Sequence, residues 1–438
     1  MKRRTLKSLL GLICALSTGI ALNTAASAKN LYISPSGSGT DGASWSSAWQ
    51  DPAKIDWSKV QAGDQIILDG GTSGITYVTE FAVPASSVVI RQATDKAHGG
   101  QVTLKGIYPT RNLNSIGINV LGSNVHIVAA RRSGIVLKNY PALAVSLKTN
   151  GNSLRNVEIN GITGFQPYGS GKIGGVAFGG FNNQFINCDF RDCVYGAVEK
   201  PVAGARNLTV FNNCTFGSNR YGYWGEDGSC IVGAKTATGA PSIIYAHHCV
   251  FGPFVNYGID QGNNHLLISD SLFLNARIAN LNVTGNAPAS VRVAGCTFYQ
   301  KQITDGNIVP KAVGGLTQNT IATSGSADVK VSNSIIYGGV VKVPATQVLN
   351  AGNNIQYAVS GNTVALAAQM TDPNFVDKDT LQAPGTVATF VPKTLTTLNF
   401  DPAMGSAAAG KGSSFDRVSD SVAAFGPTYG IPTVIGGP

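Results

Sequence analysis

Charged residues are scarce in this chain of 438 residues, at 13% of the sequence. No run of lysine and arginine resembles a nucleic-acid-binding surface, so we expect no nucleic-acid partner. Beyond the first residues, no window approaches the roughly 20 apolar residues that a membrane-spanning helix needs. The seven cysteines include no Cys-x-x-Cys pair. Their spacing therefore argues against a zinc site.

Residues 1–28 have the composition of a secretory signal peptide. A basic start precedes an apolar run from Leu9 to about Leu22, and the small residues Ala26-Ser27-Ala28 predict cleavage after Ala28. We therefore expect export to the periplasm, the cell surface or the exterior. The loss of four basic residues with this segment leaves a mildly basic chain, which permits weak attraction to an acidic polymer.

Six later segments repeat one pattern, in which Cys or Ser stands two residues before Phe or Ile. They are FINCDF (185–190), FNNCTF (211–216), AHHCVF (246–251), ISDSLF (268–273), VAGCTF (293–298) and VSNSII (331–336). Their closing residues are 26, 35, 22, 25 and 38 residues apart. A turn of about 22–26 residues with two larger insertions predicts the coil of a parallel β-helix.

Each position of this pattern has an expected place in the coil. The cysteines should stack inside the solenoid as small apolar residues: Cys188, Cys214, Cys249 and Cys296. The residues just before the Cys or Ser of the pattern should form a polar ladder at a coil corner: Asn187, Asn213, His248, Asp270 and Asn333. This column favours a structural role for His248. Cys193 and Cys230 lie outside the pattern and could pair with each other.

Fifty-three glycines and many short β-branched or aromatic runs leave little room for helices. The predicted fold is all-β, a right-handed single-stranded parallel β-helix in one elongated domain. We expect an N-terminal cap and first coils over 29–110, regular coils over 111–360 and a C-terminal extended capping segment over 361–438. End coils need covering because their strand edges would otherwise pair with other chains.

The chain resembles the secreted bacterial right-handed β-helix proteins, the pectate-lyase-like and chondroitinase-like superfamily. The segments that carry the resemblance are LYISPSGSGTDGASWSSAW (31–49) and VQAGDQIILDGGT (60–72) near the start, and DPNFVD (372–377) and FDPAMGSAAAG (400–410) near the end. The resemblance implies the β-helix scaffold. It leaves the reaction open, because its members include polysaccharide lyases, glycoside hydrolases and proteins that only bind.

Tyr-Gly pairs follow three of the repeats and suggest an alignment of the coils that begin at Tyr195, Tyr221 and Tyr257. The alignment forms two columns on one face of the coils: Val198, Trp224 and Asp260, and then Lys200, Glu226 and Gly262. Charged side chains do not suit a dry core, so this should be the outer face. Counting from the ladder phenylalanines instead aligns a different set and turns Glu226 away: Glu199, Gly225, Asp260 and Asn282.

The candidate site residues have chemistry that suits a sugar polymer. Acid, base and carboxylate-binding roles are predicted for Lys200, Glu226, Asp260 and Arg277, and substrate contacts for Tyr223, Trp224, Tyr257 and His247. Two inserts, 231–241 and 301–319, are expected to wall a groove beside them. Glu226 and Asp260 should lie about 8 Å apart, which suits a glycosidase pair or a Ca²⁺ ion bridged by waters.

Three functions fit these residues. The first is a lyase that cleaves a uronate-containing polysaccharide by β-elimination, with Lys200 as the base and Arg277 on the carboxylate. The second is a glycoside hydrolase that uses Glu226 and Asp260. The third is a non-catalytic, carbohydrate-binding protein of the cell surface or matrix. In each case the expected partner is a polysaccharide, the only expected cofactor is Ca²⁺, and the protein is a monomer.

Overall fold

The computed structural model describes residues 28–107, 115–162, 174–217, 228–235, 242–252, 255–286, 289–300, 318–352, 354–357, 359–361 and the strand at 369–370. These residues form 34 short strands and two single-turn 3-10 helices, Pro52–Lys54 and Trp57–Lys59. In this part of the chain no helix is long and apolar enough to cross a membrane. The fold is therefore built almost entirely of β-structure.

The strands are three to six residues long in most cases, as expected for the sides of a small coil. In chain order they are β1 (Asn30–Ile33), β2 (Gln65–Leu68), β3 (Ile75–Val78), β4 (Phe81–Val83), β5 (Val89–Gln92), β6 (Val102–Lys105), β7 (Ile116–Val120), β8 (His126–Val128), β9 (Ile135–Lys138), β10 (Leu143–Leu147), β11 (Ser153–Arg155), β12 (Val157–Asn160), β13 (Gly174–Phe178), β14 (Asn183–Ile186), β15 (Asp189–Arg191), β16 (Tyr195–Glu199), β17 (Asn207–Asn212), β18 (Thr215–Gly217), β19 (Ser229–Val232), β20 (Ser242–His247), β21 (Val250–Phe251), β22 (Tyr257–Gln261), β23 (His265–Ser269), β24 (Leu272–Leu274), β25 (Ala279–Val283), β26 (Ser290–Ala294), β27 (Thr297–Tyr299), β28 (Asn319–Thr323), β29 (Asp328–Ser332), β30 (Ile335–Tyr337), β31 (Val340–Lys342), β32 (Ile355–Tyr357), β33 (Ser360–Gly361) and β34 (Gln369–Met370).

Three parallel sheets run the length of the solenoid. Sheet A has the order β1-β2-β5-β8-β11-β14-β17-β20-β23-β26-β29, and sheet B has the order β3-β6-β9-β12-β15-β18-β21-β24-β27-β30-β32-β34. Sheet C has the order β4-β7-β10-β13-β16-β19-β22-β25-β28-β31-β33. Each regular coil gives one strand to each sheet, so the predicted parallel β-helix is confirmed.

The inner face of sheet B carries the phenylalanines that close the repeated pattern. Paired strands place the six closing residues of the sequence pattern in one register: Phe190, Phe216, Phe251, Phe273, Phe298 and Ile336. The rings of neighbouring phenylalanines stack with centroids 4.5–5.4 Å apart. This spacing follows from the distance between parallel strands.

The four predicted core cysteines are all buried beside this column. The Cys214 thiol lies 3.3 Å from the backbone oxygen of Phe185 in the preceding coil, and the Cys249 thiol makes the same contact with Phe211 at 3.5 Å. All six cysteines of the described residues are thiols, so the suggested pairing of Cys193 with Cys230 is wrong. Both are separately buried in the core, and burial raises the pKa of Cys193 to about 12.

The corner between sheets A and B explains the polar ladder. All five predicted residues have a positive φ, between 47° and 54°: Asn187, Asn213, His248, Asp270 and Asn333. Asn and Asp tolerate this left-handed conformation better than most residues. Along the ladder, the Asn213 side chain donates a hydrogen bond to Asn187 and Asn187 donates one to Asn156. The predicted corner ladder is therefore confirmed, and His248 occupies a standard position in it.

Candidate functional site

The outer face of sheet C contains Asp260, and Lys200 lies at the edge of this face. Ser229 pairs with both Tyr195 and Tyr257, so the predicted alignment on Tyr221 is wrong for the middle coil. Tyr221 itself lies outside the described residues. The alternative count aligned Asp260 with Asn282 correctly. The same count was wrong for Glu199, because the residue of that coil in register with Asp260 is Val198.

One column on this outer face has Asp260 near its middle. Across nine coils it contains Asn119, Ser146, Ala177, Val198, Val232, Asp260, Asn282, Ala322 and Lys342. Flanking residues such as Val176 and Phe178 belong to the core, so alternation along the strand directs this column outward. The predicted placement of Asp260 on the outer face agrees with this register.

Asp260 is nevertheless buried, with only 6% of its surface exposed. Its Oδ1 accepts a 2.8 Å hydrogen bond from the side chain of Asn282, and its Oδ2 lies 3.2 Å from Nζ of Lys235. Asp260 therefore lies on the outer face of its strand but is covered by neighbouring side chains. Both carboxylate oxygens of Asp260 already have a polar partner among the described residues.

Tyr223, Trp224 and Glu226 lie outside the described residues. Their predicted roles in substrate contact, acid–base chemistry and calcium binding stay predictions, as does the pairing of Glu226 with Asp260.

Lysines line the edge of this face where sheet C turns toward sheet A. Leu147, Phe178 and Glu199 are in register, so the residues that follow them, Lys148, Gly179 and Lys200, lie on successive coils. Lys148 and Lys200 are both exposed, and two coil spacings put their Cα atoms about 9.6 Å apart. We call Lys148, Lys200 and Lys235 the lysine rim.

Gly179 separates the two lysines because its position has no room for a side chain. A Cβ atom there would lie 2.2 Å from the backbone oxygen of Lys200. Gly179 therefore places no side chain between Lys148 and Lys200. Partial desolvation of the Lys200 amine by neighbouring atoms lowers its pKa, and the positive charge of Lys148 lowers it further. The rim thus combines a lysine that loses its proton more readily with a second cation near it.

Glu199 points to the opposite side of the strand from Lys200, into the corner beneath the rim. Its carboxylate is buried and accepts hydrogen bonds from the backbone NH of Ala234 and from the side chains of Ser242 and Asn264. Burial raises the pKa of Glu199 despite these hydrogen bonds. Because its partners come from three different segments, Glu199 has a structural role in holding the corner together.

The remaining predicted residues are dispersed. Tyr257 is half-buried at the start of the strand that carries Asp260. Arg277 is buried at the corner before sheet C, five residues before Asn282 and thus at the opposite end of the strand from the lysine rim. His247 ends a strand of sheet A, where burial and then His248 lower its pKa. The structure therefore does not bring Arg277 or His247 to Lys200.

Lys148 and Lys235 are rim residues that the sequence did not identify. Lys148 directly follows the end of β10, as Lys200 follows the end of β16, and this shared position was the available signal. Nothing in the repeat pattern pointed to Lys235, which lies in the turn after β19 and reaches Asp260 from the side.

No protein-family model matches the chain, and no curated protein matches its sequence. Among solved structures, it is similar to pectate lyase Pel9A, with 15% identity over 80% of this chain and 84% of that one and a TM-score of 0.46. A rhamnogalacturonan lyase matches with 13% identity over 80% and 90% of the two chains and a TM-score of 0.45. A tailspike protein matches with 14% identity over 79% and 69%, also with a TM-score of 0.45.

Proposed function

We propose that this protein is an exported lyase that cleaves a uronate-containing polysaccharide, with Lys200 as the catalytic base. The observation that carries the proposal is the position of two exposed lysines, Lys148 and Lys200, on alternate coils at one edge of the outer face, and the lowered pKa of Lys200 supports it. A lysine base must be unprotonated, and the lowered pKa increases the unprotonated fraction at neutral pH.

The lysine rim also provides charge for the polymer. Lys148, Lys200 and Lys235 belong to coils that span about 14 Å along the solenoid, a length that can contact several sugar units of a chain lying along it. Cations at this edge attract an acidic chain, and they stabilise the extra negative charge that a uronate carboxylate acquires when the neighbouring carbon loses its proton.

The proposed reaction needs no resident cofactor for its proton transfer. The Lys200 amine removes the proton at C5, the electrons of that bond form a C4–C5 double bond, and the C4–O bond to the next sugar breaks. The departing oxygen takes a proton from solvent water and becomes a hydroxyl group, and the protonated Lys200 returns its proton to solvent. The reaction gives two shorter saccharides. One ends in the new hydroxyl group, and the other ends in a uronate with the C4–C5 double bond.

The direct test is the action of the purified chain on a panel of acidic and neutral polysaccharides. A lyase produces absorbance at 232 nm from the unsaturated uronate. Lys200→Gln should lower the rate about 10²- to 10⁴-fold, the range for loss of a general base. Lys138→Gln, which changes a half-buried lysine of sheet B, should leave the rate unchanged.

The pH profile tests the role of Lys200 more sharply. Because the unprotonated amine acts, the rate should rise as pH increases through the pKa of Lys200. Removing the charge of Lys148 by Lys148→Gln should raise that pKa and move the rising limb to higher pH.

Three other results would contradict the proposal. Reducing ends without absorbance at 232 nm would indicate a hydrolase, and binding without either product would indicate a carbohydrate-binding protein. A Lys200→Gln variant as active as the parent would rule out Lys200 as the base.

A further inference from the structure

Two histidines and an aspartate meet on the outside of the corner between sheets A and B. His247 ends β20, His248 follows it in the left-handed conformation, and Asp270 occupies the same ladder position one coil later. One potential ligand atom from each residue lies within 4.8 Å of the other two. Nδ1 of His247 is 3.7 Å from Oδ2 of Asp270, and the two imidazole rings have centroids 3.7 Å apart.

A repeated contact between coils orients His247. Its Nδ1 lies 2.7 Å from the Ser269 hydroxyl in the next coil, and the same His–Ser contact occurs at 2.8 Å between His126 and Ser153. Ser269 is fully buried and also lies 3.2 Å from the Tyr245 hydroxyl. Such a hydrogen bond to one ring nitrogen fixes the ring and leaves the other nitrogen available to a ligand.

The corner at His247 contains two potential metal ligands in addition to His247 itself. His248 and Asp270 contribute a second imidazole and a carboxylate at ladder positions where other coils have Asn213 and Asn333. Asparagine also satisfies the backbone conformation there, so the ladder itself does not require a histidine or an aspartate. Two imidazoles and a carboxylate are a ligand set for divalent transition metals.

We propose that His247, His248 and Asp270 bind one divalent transition-metal ion of the Zn²⁺ class. Two ligands of a tetrahedral ion lie about 3.4 Å apart when each bond is about 2.1 Å, so ligand atoms that lie within 4.8 Å of one another need to approach by at most about 1.4 Å. The ion would join two consecutive coils, and water would complete its coordination. This ligand set contains no cysteine, which is why cysteine spacing could not reveal it.

The test uses the full chain without a polyhistidine tag, treated with a chelator and titrated with ZnCl₂ by calorimetry. The parent should bind one Zn²⁺ per chain and gain thermal stability when Zn²⁺ is added. His248→Asn and Asp270→Asn retain a residue type that the ladder already uses, so they should fold normally. Each should weaken Zn²⁺ binding by about 100-fold or more, and Ser269→Ala should weaken it by about 10-fold.

His126→Gln is the matched control, because it removes an equivalent His–Ser contact without touching the three ligands. It should bind Zn²⁺ as the parent does. The proposal is overturned if the parent binds no Zn²⁺, if correctly folded His248→Asn and Asp270→Asn variants bind it with parental affinity, or if His126→Gln loses binding to the same extent. The readout is independent of any polysaccharide activity.

Discussion

The two faces of sheet B are made by the same short strands, yet they differ in how regular they are. The inner face repeats phenylalanine through five coils, with stacked rings. The outer face is charged toward the N-terminal end, where Arg132 makes a bidentate ion pair with Asp189 at 2.6 and 2.9 Å. Toward the C-terminal end it is apolar and aromatic, and Tyr299 stacks on Tyr337 with centroids 5.1 Å apart.

The difference shows which environment repeats from coil to coil. Inside, each of the three middle rings has another ring above and below it in a dry, close-packed space, so the same residue type suits successive coils. Outside, each coil meets different loops and a different amount of solvent. Regular packing therefore constrains the inner column, whereas the outer columns are free to acquire local ion pairs, aromatic stacks and candidate sites.

The largest expected effect comes from breaking the inner column. Phe251→Ala removes a ring that stacks between Phe216 and Phe273, and it should reduce the free energy of unfolding by about 3–5 kcal/mol. Val250→Ala changes the adjacent, partly exposed residue on the outer face and should cost less than about 1.5 kcal/mol. Urea denaturation of both variants measures this difference. Equal losses would show that the two faces are packed alike.

An intermediate effect is expected from the charged outer cluster. Asp189→Asn keeps the side-chain shape but leaves the guanidinium of Arg132 without its carboxylate, at a site where Asp189 is only 4% exposed. The expected loss is about 1–3 kcal/mol. The matched control is Asp328→Asn, which breaks a 2.5 Å pair with Arg292 where the aspartate side chain is 53% exposed, and it should cost at most about 1 kcal/mol.

Urea denaturation of both variants measures how much burial increases the contribution of an ion pair to the free energy of unfolding. If Asp328→Asn destabilises the protein as much as Asp189→Asn does, then burial of the outer cluster has no special effect.

The smallest effect is expected at the corner that joins the two faces. Asn213 has φ 53° and donates a hydrogen bond to Asn187. Asn213→Ala should cost about 1–2 kcal/mol, because alanine is strained in the left-handed region. Asn213→Gly should cost less, since Gly295 already occupies this column with φ 64°. Thermal denaturation can rank the two variants, and a glycine variant less stable than the alanine variant would show that the greater backbone freedom of glycine in the unfolded chain outweighs the strain that it relieves at this corner.

The sequence alone predicted the features that recur in every coil. The phenylalanine column, the cysteine stack and the left-handed corner residues all follow from one repeated pattern, since a solenoid gives each equivalent position the same neighbours. That information was enough for the fold class. It also placed Asp260 on the outer face, because alternation along a strand depends only on local geometry.

Only the tertiary structure decided the arrangements that occur once. It put Ser229 rather than Tyr221 opposite Tyr195, buried Asp260 against Lys235, and brought Lys148 to the same edge as Lys200. It also joined Asp270 to the adjacent histidines across one coil. Each of these depends on the length of the insertions between strands and on the hydrogen-bond register that follows them. Insertions differ from coil to coil and have no repeat, so the periodic signal that determined the interior contained no information about these contacts.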